Sequence, residues 1–285
     1  MYPESFSYHA PSTLDEALGL LAQHGDDAKL LAGGHSLLPA MKLRLSTPAH
    51  LVDLKGLRGQ LQYIRDEGDT IAVGALSTHH QIHTSELLGS RAPLLAETAG
   101  HIGDMQVRNV GTLGGSLAHA DPAGDFPAAI LAAEADLVLQ GAGGQRTVAA
   151  TDFFQGFFET AAEPGEILIE VRVPVQKGGS SYQKFYHPAS GYAICGVAAV
   201  IEGTNGTVSR CRVGVTGVSD AGYRATAVER ALEGQTFSAE LAASAAEQAA
   251  AGVDPLEDPF ASADYRSHLA RVHTRRALTA AWERN

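Results

Sequence analysis

Two Gly-Gly pairs flanked by hydroxyl side chains are the segments of this sequence best suited to hold an anion. The first is Gly33–Gly34 in the segment LLAGGHSL, residues 30–37, and the second is Gly114–Gly115 in TLGGS, residues 112–116. Glycine has no Cβ and tolerates positive φ, so successive backbone N–H groups can converge on a phosphate. Two such segments facing each other would suit the two phosphates of a dinucleotide.

Other interpretations of these glycines remain open at this point. A single Gly-Gly pair is more often a tight turn than a ligand site, because short glycine motifs match by chance. Neither pair fits G-x-G-x-x-G or G-x-x-x-x-G-K-[ST], which disfavours a Rossmann domain and a P-loop. The repeated hydroxyl flanks favour binding over a turn without settling the question.

Two clusters of metal-ligating residue types do not have the spacing of a metal motif. His79, His80 and His83 lack the glutamate of H-E-x-x-H, and we interpret them as a surface cluster at a helix start. The segment 119–125, HADPAGD, lacks a further converging ligand. No G-x-S-x-G nucleophile motif occurs. We therefore predict neither a metal ligand nor a catalytic nucleophile.

Composition restricts the class of protein. The 285 residues carry a net charge of −11, with scattered basic residues, so no nucleic-acid footprint is present. No apolar run approaches the roughly 20 residues of a membrane span, and the first residues do not resemble a signal peptide, so a cytoplasmic location is expected. The two cysteines, Cys195 and Cys211, are predicted to be free and buried, and they are too few to ligate an iron–sulfur cluster.

Three parts of the chain must position the glycine segments. Their predicted strands and helices follow from apolar periodicity and turn residues, with a Thr13–Glu16 capping box and an Asn205-Gly206 hairpin turn. In residues 1–54 we predict strands Ser5–His9, Lys29–Leu31 and His50–Leu54, with one helix ended by Gly25. In residues 55–174 we predict strands Leu61–Arg65, Thr70–Gly74, Asp136–Gln140, Gln145–Val148 and Ile167–Val173, helices Thr78–Leu88 and Pro93–Ile102, and a glycine-rich loop from residue 106 leading into a short helix. In residues 175–285 we predict strands Ser180–Phe185, Ala193–Glu202 and Val208–Gly217, covered on one face by helices Ala225–Leu232, Ser238–Ala251 and Ser262–Trp282.

The two glycine segments, extended to 32–45 and 106–128, closely resemble the FAD-binding medium subunits of molybdenum hydroxylases, the family of carbon monoxide, aldehyde and xanthine dehydrogenases. Segments 182–199 and 263–278 are similar to the C-terminal flavoprotein domain of that family. The resemblance covers essentially the whole chain. It implies an α+β protein with the FAD-binding fold of the vanillyl-alcohol oxidase type, composed of two α/β subdomains, about 1–54 and 55–174. A C-terminal flavoprotein domain, residues 175–285, would follow as an antiparallel sheet with helices.

The resemblance also implies one non-covalent FAD and a set of contacting residues. These are Lys29, Leu30, Leu31, Ala32, Gly33, Gly34, His35, Ser36, Leu37, Ile102, Thr112, Gly114, Gly115, Ser116, Asp125, Leu168, Lys184 and Tyr192. By the same resemblance, Asp125 would hydrogen-bond FAD, Lys184 would lie close to the flavin, and Tyr192 would cover its ring. Without the resemblance, Lys184 is better explained as a surface lysine and Tyr192 as a half-buried strand residue.

The implied function is electron transfer within a larger complex. A large molybdopterin-binding subunit and a small subunit with 2Fe-2S clusters would be the partners, in a dimer of heterotrimers. The small number of cysteines fits this division, because the clusters must then lie on another chain. Carbon monoxide, an aldehyde or a purine remain alternative substrates, and NAD, quinone or oxygen alternative acceptors. The rival functions are a stand-alone FAD-dependent oxidase or reductase and a nucleotide-sensing module.

Overall fold

A computed structural model of the protein describes residues 2–285 and contains three sheets and one short ribbon. The first sheet is parallel, in the order β1-β3-β2, and belongs to an N-terminal α/β unit. Its elements are β1 (Ser7–His9), α1 (Leu14–His24), β2 (Ala28–Leu31), α2 (Leu37–Lys42) and β3 (His50–Asp53). The predicted capping box starts α1, since Thr13 accepts from the Glu16 N–H and Glu16 bonds back, and α1 ends at Gly25 as predicted.

The second sheet is antiparallel, in the order β4-β5-β10-β6-β7. Its strands are β4 (Ile64–Asp66), β5 (Thr70–Gly74), β6 (Asp136–Gly141), β7 (Gly144–Ala149) and β10 (Ile167–Pro174), and β8 (Phe154–Gly156) with β9 (Glu159–Thr160) forms the ribbon. The helices of this part are α3 (Arg58–Leu61), α4 (His79–His83), α5 (Glu86–Arg91), α6 (Pro93–Gly100), α7 (Met105–Val110), α8 (Leu113–His119), α9 (Phe126–Ala132) and α10 (Ala150–Phe153). Residues of β5, β10, α6 and α9 form its main hydrophobic core.

The third sheet is antiparallel, in the order β11-β12-β13-β14. It comprises β11 (Gly179–Tyr186), β12 (Ala193–Thr204), β13 (Thr207–Thr216) and β14 (Tyr223–Arg224), followed by α11 (Thr226–Leu232), α12 (Ala239–Ala246) and α13 (Ala263–Glu283). The predicted turn is present, with Asn205 at φ 52° and Gly206 at φ 82°. The three helices cover one face, as predicted, and both cysteines are free and buried there.

Helix α9 joins the second and third sheets. All seven of its residues are buried, and it contacts β12 and β13. A Cβ on Gly214 would lie 2.1 Å from the Ala128 carbonyl oxygen, so the helix backbone rests directly on β13. The third sheet is therefore covered on both faces, and residues on α9 and β11 can meet between the two parts of the chain.

The structure corrects four details of the sequence prediction. The strand predicted over Leu61–Arg65 begins only at Ile64, because Leu61 belongs to α3. The predicted helix 78–88 is two helices, because Ser85 caps the second one by accepting from the Leu88 N–H. The predicted loop from residue 106 is largely helical, as α7 and α8. The α-helix predicted over 238–251 ends at Ala246 and continues as turns. No helix within residues 2–285 is long and apolar enough to cross a membrane, and the division of the chain at about residue 174 stays a prediction.

Candidate cofactor site

The first glycine segment lies at the carboxyl end of β2, where an open α/β sheet places its ligands. The chain leaves the strand at Leu31, turns through Gly34 with φ +73°, and enters α2 at Leu37. Within residues 2–285, the five N–H groups of residues 33–37 have no protein acceptor. Five consecutive free donors on a half-exposed turn are what an anion such as a diphosphate requires.

The fold brings the two glycine segments into contact. A Cβ on Gly33 would lie 2.4 Å from the Val110 carbonyl oxygen and 2.8 Å from the Gly111 Cα. A Cβ on Gly115 would lie 3.4 Å from the Cβ of Ala32, which is van der Waals contact. The first loop therefore rests on the turn that connects α7 to α8, and only glycine at position 33 permits this approach.

The second glycine segment is not the N–H nest that the sequence predicted. It is the first turn of α8, where Thr112 is the N-cap and accepts from the Gly115 N–H at 3.2 Å. The N–H of Gly114 donates to the Ala75 carbonyl at 2.8 Å, and that of Leu113 donates to Ser77. These donors are already satisfied within the chain. Gly114 serves close packing instead, since its Cβ would lie 2.5 Å from that of Ala75.

A hydroxyl on the second segment remains available. Ser116 is half-buried on α8, and its side chain has no hydrogen-bond partner in the protein among residues 2–285. It lies one residue after Gly115, which contacts Ala32 of the first loop. The site therefore has one side rich in N–H donors and one side that offers a close-packed helix start and a hydroxyl.

Tyr192 reaches the first loop from the C-terminal part of the chain. It stands in the turn between β11 and β12, where its carbonyl accepts from the His187 N–H at 2.8 Å, and it is 40% exposed. Burial and the nearby Asp121 carboxylate raise the pKa of its phenol, and interaction with the Ser36 side chain opposes this shift. The predicted ring-covering residue thus lies beside the loop predicted to bind the diphosphate.

Asp125 and Lys184 meet in a buried ion pair. The Lys184 Nζ lies 2.8 Å from Asp125 Oδ2, and the Tyr182 hydroxyl donates to Asp125 Oδ1 at 2.5 Å. The side chain of Lys184 is 0% exposed and that of Asp125 is 5% exposed. Burial raises the pKa of Asp125, while Lys184 and Tyr182 stabilise its charged form. The alternative explanation of Lys184 as a surface lysine is therefore wrong, because its ammonium is buried and paired with Asp125, while its proximity to the flavin stays a prediction.

His101 and Tyr186 complete this cluster, and the sequence analysis missed both. Lys184 Nζ donates to the His101 carbonyl at 3.1 Å and lies 4.7 Å from the centre of the Tyr186 ring, whose hydroxyl is hydrogen-bonded to His101 Nδ1. Burial and the positive charge of Lys184 lower the pKa of His101. Strand alternation was the available signal for Tyr186, because it lies two residues after Lys184 on β11; no such signal pointed to His101, which follows α6.

The remaining residues predicted to contact FAD differ in burial and in their distance from the first loop along the chain. Ile102 is half-buried next to His101, while Leu168 is buried in the main core on β10, against α8. Lys29 is exposed on β2, before the loop, and Leu30, Leu31 and Leu37 are half-buried. The structure thus gathers the loop, the start of α8 and Tyr192 at one place, while Leu168 lies in the main core on a strand that contacts α8.

His79 supports this site, although the sequence analysis interpreted it as a surface residue. It is buried, its N–H donates to the Gly111 carbonyl at 3.0 Å, and its ring lies 5.3 Å from that of Phe126. Burial lowers the pKa of His79 to about 4, with smaller contributions from His35 and Arg108. The backbone N–H of His79 therefore holds the Gly111 turn on which the first loop rests, and its neutral ring packs against Gly111, where an added Cβ would lie 2.7 Å from Nε2.

Comparison with known proteins identifies the family. Residues 4–176 match the FAD binding domain in molybdopterin dehydrogenase, and residues 180–281 match the CO dehydrogenase flavoprotein C-terminal domain. The chain is 43% identical over 286 residues to the carbon monoxide dehydrogenase medium chain of Hydrogenophaga pseudoflava, covering 100% of this chain and 99% of that one. It is 38% identical over 287 residues to the 6-hydroxypseudooxynicotine dehydrogenase complex subunit alpha of Paenarthrobacter nicotinovorans, covering 100% and 97%.

The fold agrees with this comparison. A solved carbon monoxide dehydrogenase from Hydrogenophaga pseudoflava, which lacks the Mo-pyranopterin moiety of its cofactor, contains a chain that superposes with a TM-score of 0.96. The two chains are 45% identical, and 99% of each is covered. The predicted fold class, the oxidoreductase assignment and FAD as cofactor are confirmed. The chain belongs to the FAD-binding medium subunits of the molybdenum hydroxylases.

Proposed function

We propose that this chain is the electron-transfer subunit of a three-subunit molybdenum hydroxylase. It would take electrons from iron–sulfur clusters on a small subunit and deliver them to an external acceptor, after substrate oxidation at a molybdopterin centre on a large subunit. The observation that carries this proposal is the row of five free N–H groups at residues 33–37, in a chain of this family. When bound, FAD supplies both one- and two-electron transfer.

The diphosphate end of the site is assigned to the two glycine segments. The N–H groups of 33–37 would donate to the phosphate oxygens, and such charge-assisted bonds are among the strongest available to a backbone. The Ser36 and Ser116 hydroxyls would add donors from the two sides. Gly115, which lies against Ala32, keeps the start of α8 close enough for Ser116 to take part.

We assign the flavin ring of FAD to the C-terminal part of the chain. Tyr192 would lie against the ring and exclude water from it. The ion pair of Asp125 and Lys184 would position the residues around the ring, because it fixes the segment of His101 and Ile102 relative to β11. Its two charges neutralise each other, so any electrostatic effect on the cofactor would come from their dipole.

The cysteines support the division of labour between subunits. Cys195 and Cys211 are both buried and free, and two thiols are too few for the four protein ligands that an iron–sulfur cluster needs. Clusters would therefore belong to the small subunit. We propose a dimer of heterotrimers, since most soluble oligomers are symmetric. The relatives named above act in different dehydrogenases, and the large subunit would determine the substrate.

A direct test uses the purified chain with its FAD. After chemical reduction of the flavin, an artificial dye should be reduced by the chain alone. Carbon monoxide, an aldehyde or a purine should bleach the flavin only after the small and large subunits are added. Substrate-dependent bleaching by the isolated chain would contradict the proposal and favour the stand-alone oxidase or reductase.

A further inference from the structure

Three histidines form a cluster on the N-terminal α/β unit that the cofactor site does not use. His9 Nε2 lies 3.0 Å from His50 Nδ1, and the rings of His24 and His50 stack at a centroid distance of 3.6 Å. One ring nitrogen from each residue lies within 4.8 Å of the other two, and all three residues are half-buried. Among residues 2–285 this is the one group of three such ligands.

The topology explains why residues distant in sequence meet. His50 is paired with Ser7 in the parallel β1–β3 ladder, so His9, two residues beyond Ser7, lies on the same face of the sheet. Helix α1 packs on that face through Ala17 and Leu21. His24 follows them at helical spacing and therefore reaches the sheet where β3 begins. No local motif encodes this convergence, and the sequence analysis did not predict it.

The cluster is separate from the cofactor site. His50 pairs with Ala28 at the start of β2, whereas the free N–H groups follow the end of that strand. Three residue steps along β2 correspond to about 10 Å. An ion held by His50 would consequently lie near the start of β2, and the diphosphate would lie beyond the end of that strand.

The chemistry of the donor set indicates a transition-metal ion. Imidazole nitrogen is the preferred ligand of Zn²⁺, Cu²⁺ and Ni²⁺, and three neutral imidazoles suit a four-coordinate ion with one open position. Ligands at the usual Zn–N distance of about 2.05 Å in a tetrahedron are about 3.3 Å apart. The separation of 3.0 Å between His9 Nε2 and His50 Nδ1 is close to that value.

Two rearrangements are needed. The His9 and His50 nitrogens face each other across a hydrogen bond, so both rings must tilt and present unprotonated nitrogens to the ion. The nitrogen lone pairs of two stacked rings lie in nearly parallel planes and cannot meet at one ion, so the His24 ring must turn out of its stack on His50. His24 is the last residue of α1 and is only half-buried, so part of its side chain borders solvent. Asp27 lies close enough to interact electrostatically with His24, and its negative charge favours a bound cation.

We propose that His9, His24 and His50 bind one divalent transition-metal ion, with Zn²⁺ as the representative, and that water completes the coordination. The ion would tie β1, β3 and the end of α1 together. The same unit carries the first glycine loop, so the ion would stabilise the scaffold of the cofactor site without taking part in electron transfer. The alternative is a metal-free stack joined by one N–H···N hydrogen bond.

The test is calorimetric titration of the full-length, FAD-containing chain with Zn²⁺ after dialysis against a chelator. We expect one Zn²⁺ per chain. His50→Ala should lower the affinity at least about 100-fold, since loss of even an outer-shell partner costs about 10- to 100-fold. His24→Ala should have the same effect. The exposed His268 is the matched control, and His268→Ala should bind like the wild type.

Co²⁺ gives a second measurement. Bound by three imidazoles and water, Co²⁺ should add absorption bands at wavelengths longer than those of the flavin in the wild type. These bands should be absent in His50→Gln, which keeps a polar side chain of similar shape. A His50 variant that fails to fold would leave His24→Ala and His9→Gln to decide. Failure of the wild type to bind Zn²⁺, or equal binding by the cluster variants, would overturn the proposal in favour of the metal-free stack.

Discussion

The contact between the two glycine segments predicts the effect of replacing Gly33 by alanine. The new Cβ would lie 2.4 Å from the Val110 carbonyl oxygen, whereas ordinary contact begins at 3.4 Å, so the loop must retreat by about 1 Å. Hydrogen bonds of about 2.7–3.2 Å do not survive such a displacement unchanged. We therefore expect the N–H groups that follow Gly33 to lose their geometry toward the diphosphate.

The magnitude follows from the number of bonds affected. A hydrogen bond to a charged group contributes about 1.5–3 kcal/mol, so loss of two corresponds to about 3–6 kcal/mol. The dissociation constant of FAD should then rise by about 10²- to 10⁴-fold. Gly34→Ala should act in the same direction, because φ is +73° at that position.

The assay is reconstitution of the flavin-free chain, followed by flavin fluorescence during a titration with FAD. Gly89→Ala is the matched control, because a Cβ on Gly89 in α5 would meet no atom within 4 Å. Circular dichroism of each apoprotein checks that the fold is kept. A folded Gly33→Ala chain that binds FAD within threefold of the wild type would refute the assigned role of this loop.

Three further predictions follow from the buried polar groups and the cofactor. Acid precipitation should release all of the flavin, and a yellow pellet would show a covalent bond. Asp125→Asn should leave the buried Lys184 ammonium without a counter-charge and lower the free energy of unfolding by about 3–5 kcal/mol in urea titrations; a loss below about 1 kcal/mol would contradict the pairing. The pKa of His79 is about 4 in the folded chain, below its unfolded value of about 6.5, so stability should be lost as pH falls through this window, by about 2 kcal/mol at pH 5. His79→Gln should remove that part of the pH dependence and His80→Gln should not.

Much of the local structure could be predicted from the sequence because its causes lie within a few residues. The capping box joins Thr13 to Glu16, and Asn205-Gly206 supplies two adjacent positive φ angles. Breaks between consecutive helices were harder to predict, because the apolar pattern continues past Ser85 although Ser85 caps a new helix. The resemblance to FAD-binding medium subunits also came from the sequence, through the two Gly-Gly pairs and the hydroxyl residues that flank them.

The roles of individual site residues depended on the tertiary structure. The two glycine pairs look equivalent in sequence, but only residues 33–37 keep their N–H groups free. In the second pair, Ala75 in the turn after β5 accepts from Gly114, and the N-cap Thr112 accepts from Gly115. Asp125 pairs with Lys184 because α9 packs between two sheets, and the histidine cluster forms because α1 crosses a parallel sheet. The sequence by itself therefore determined which family the chain belongs to and which segments are the candidates for binding the cofactor. Only chain packing decided which donors stay free, since a hydrogen-bonding group is available to a ligand only when no distant part of the chain has already satisfied it.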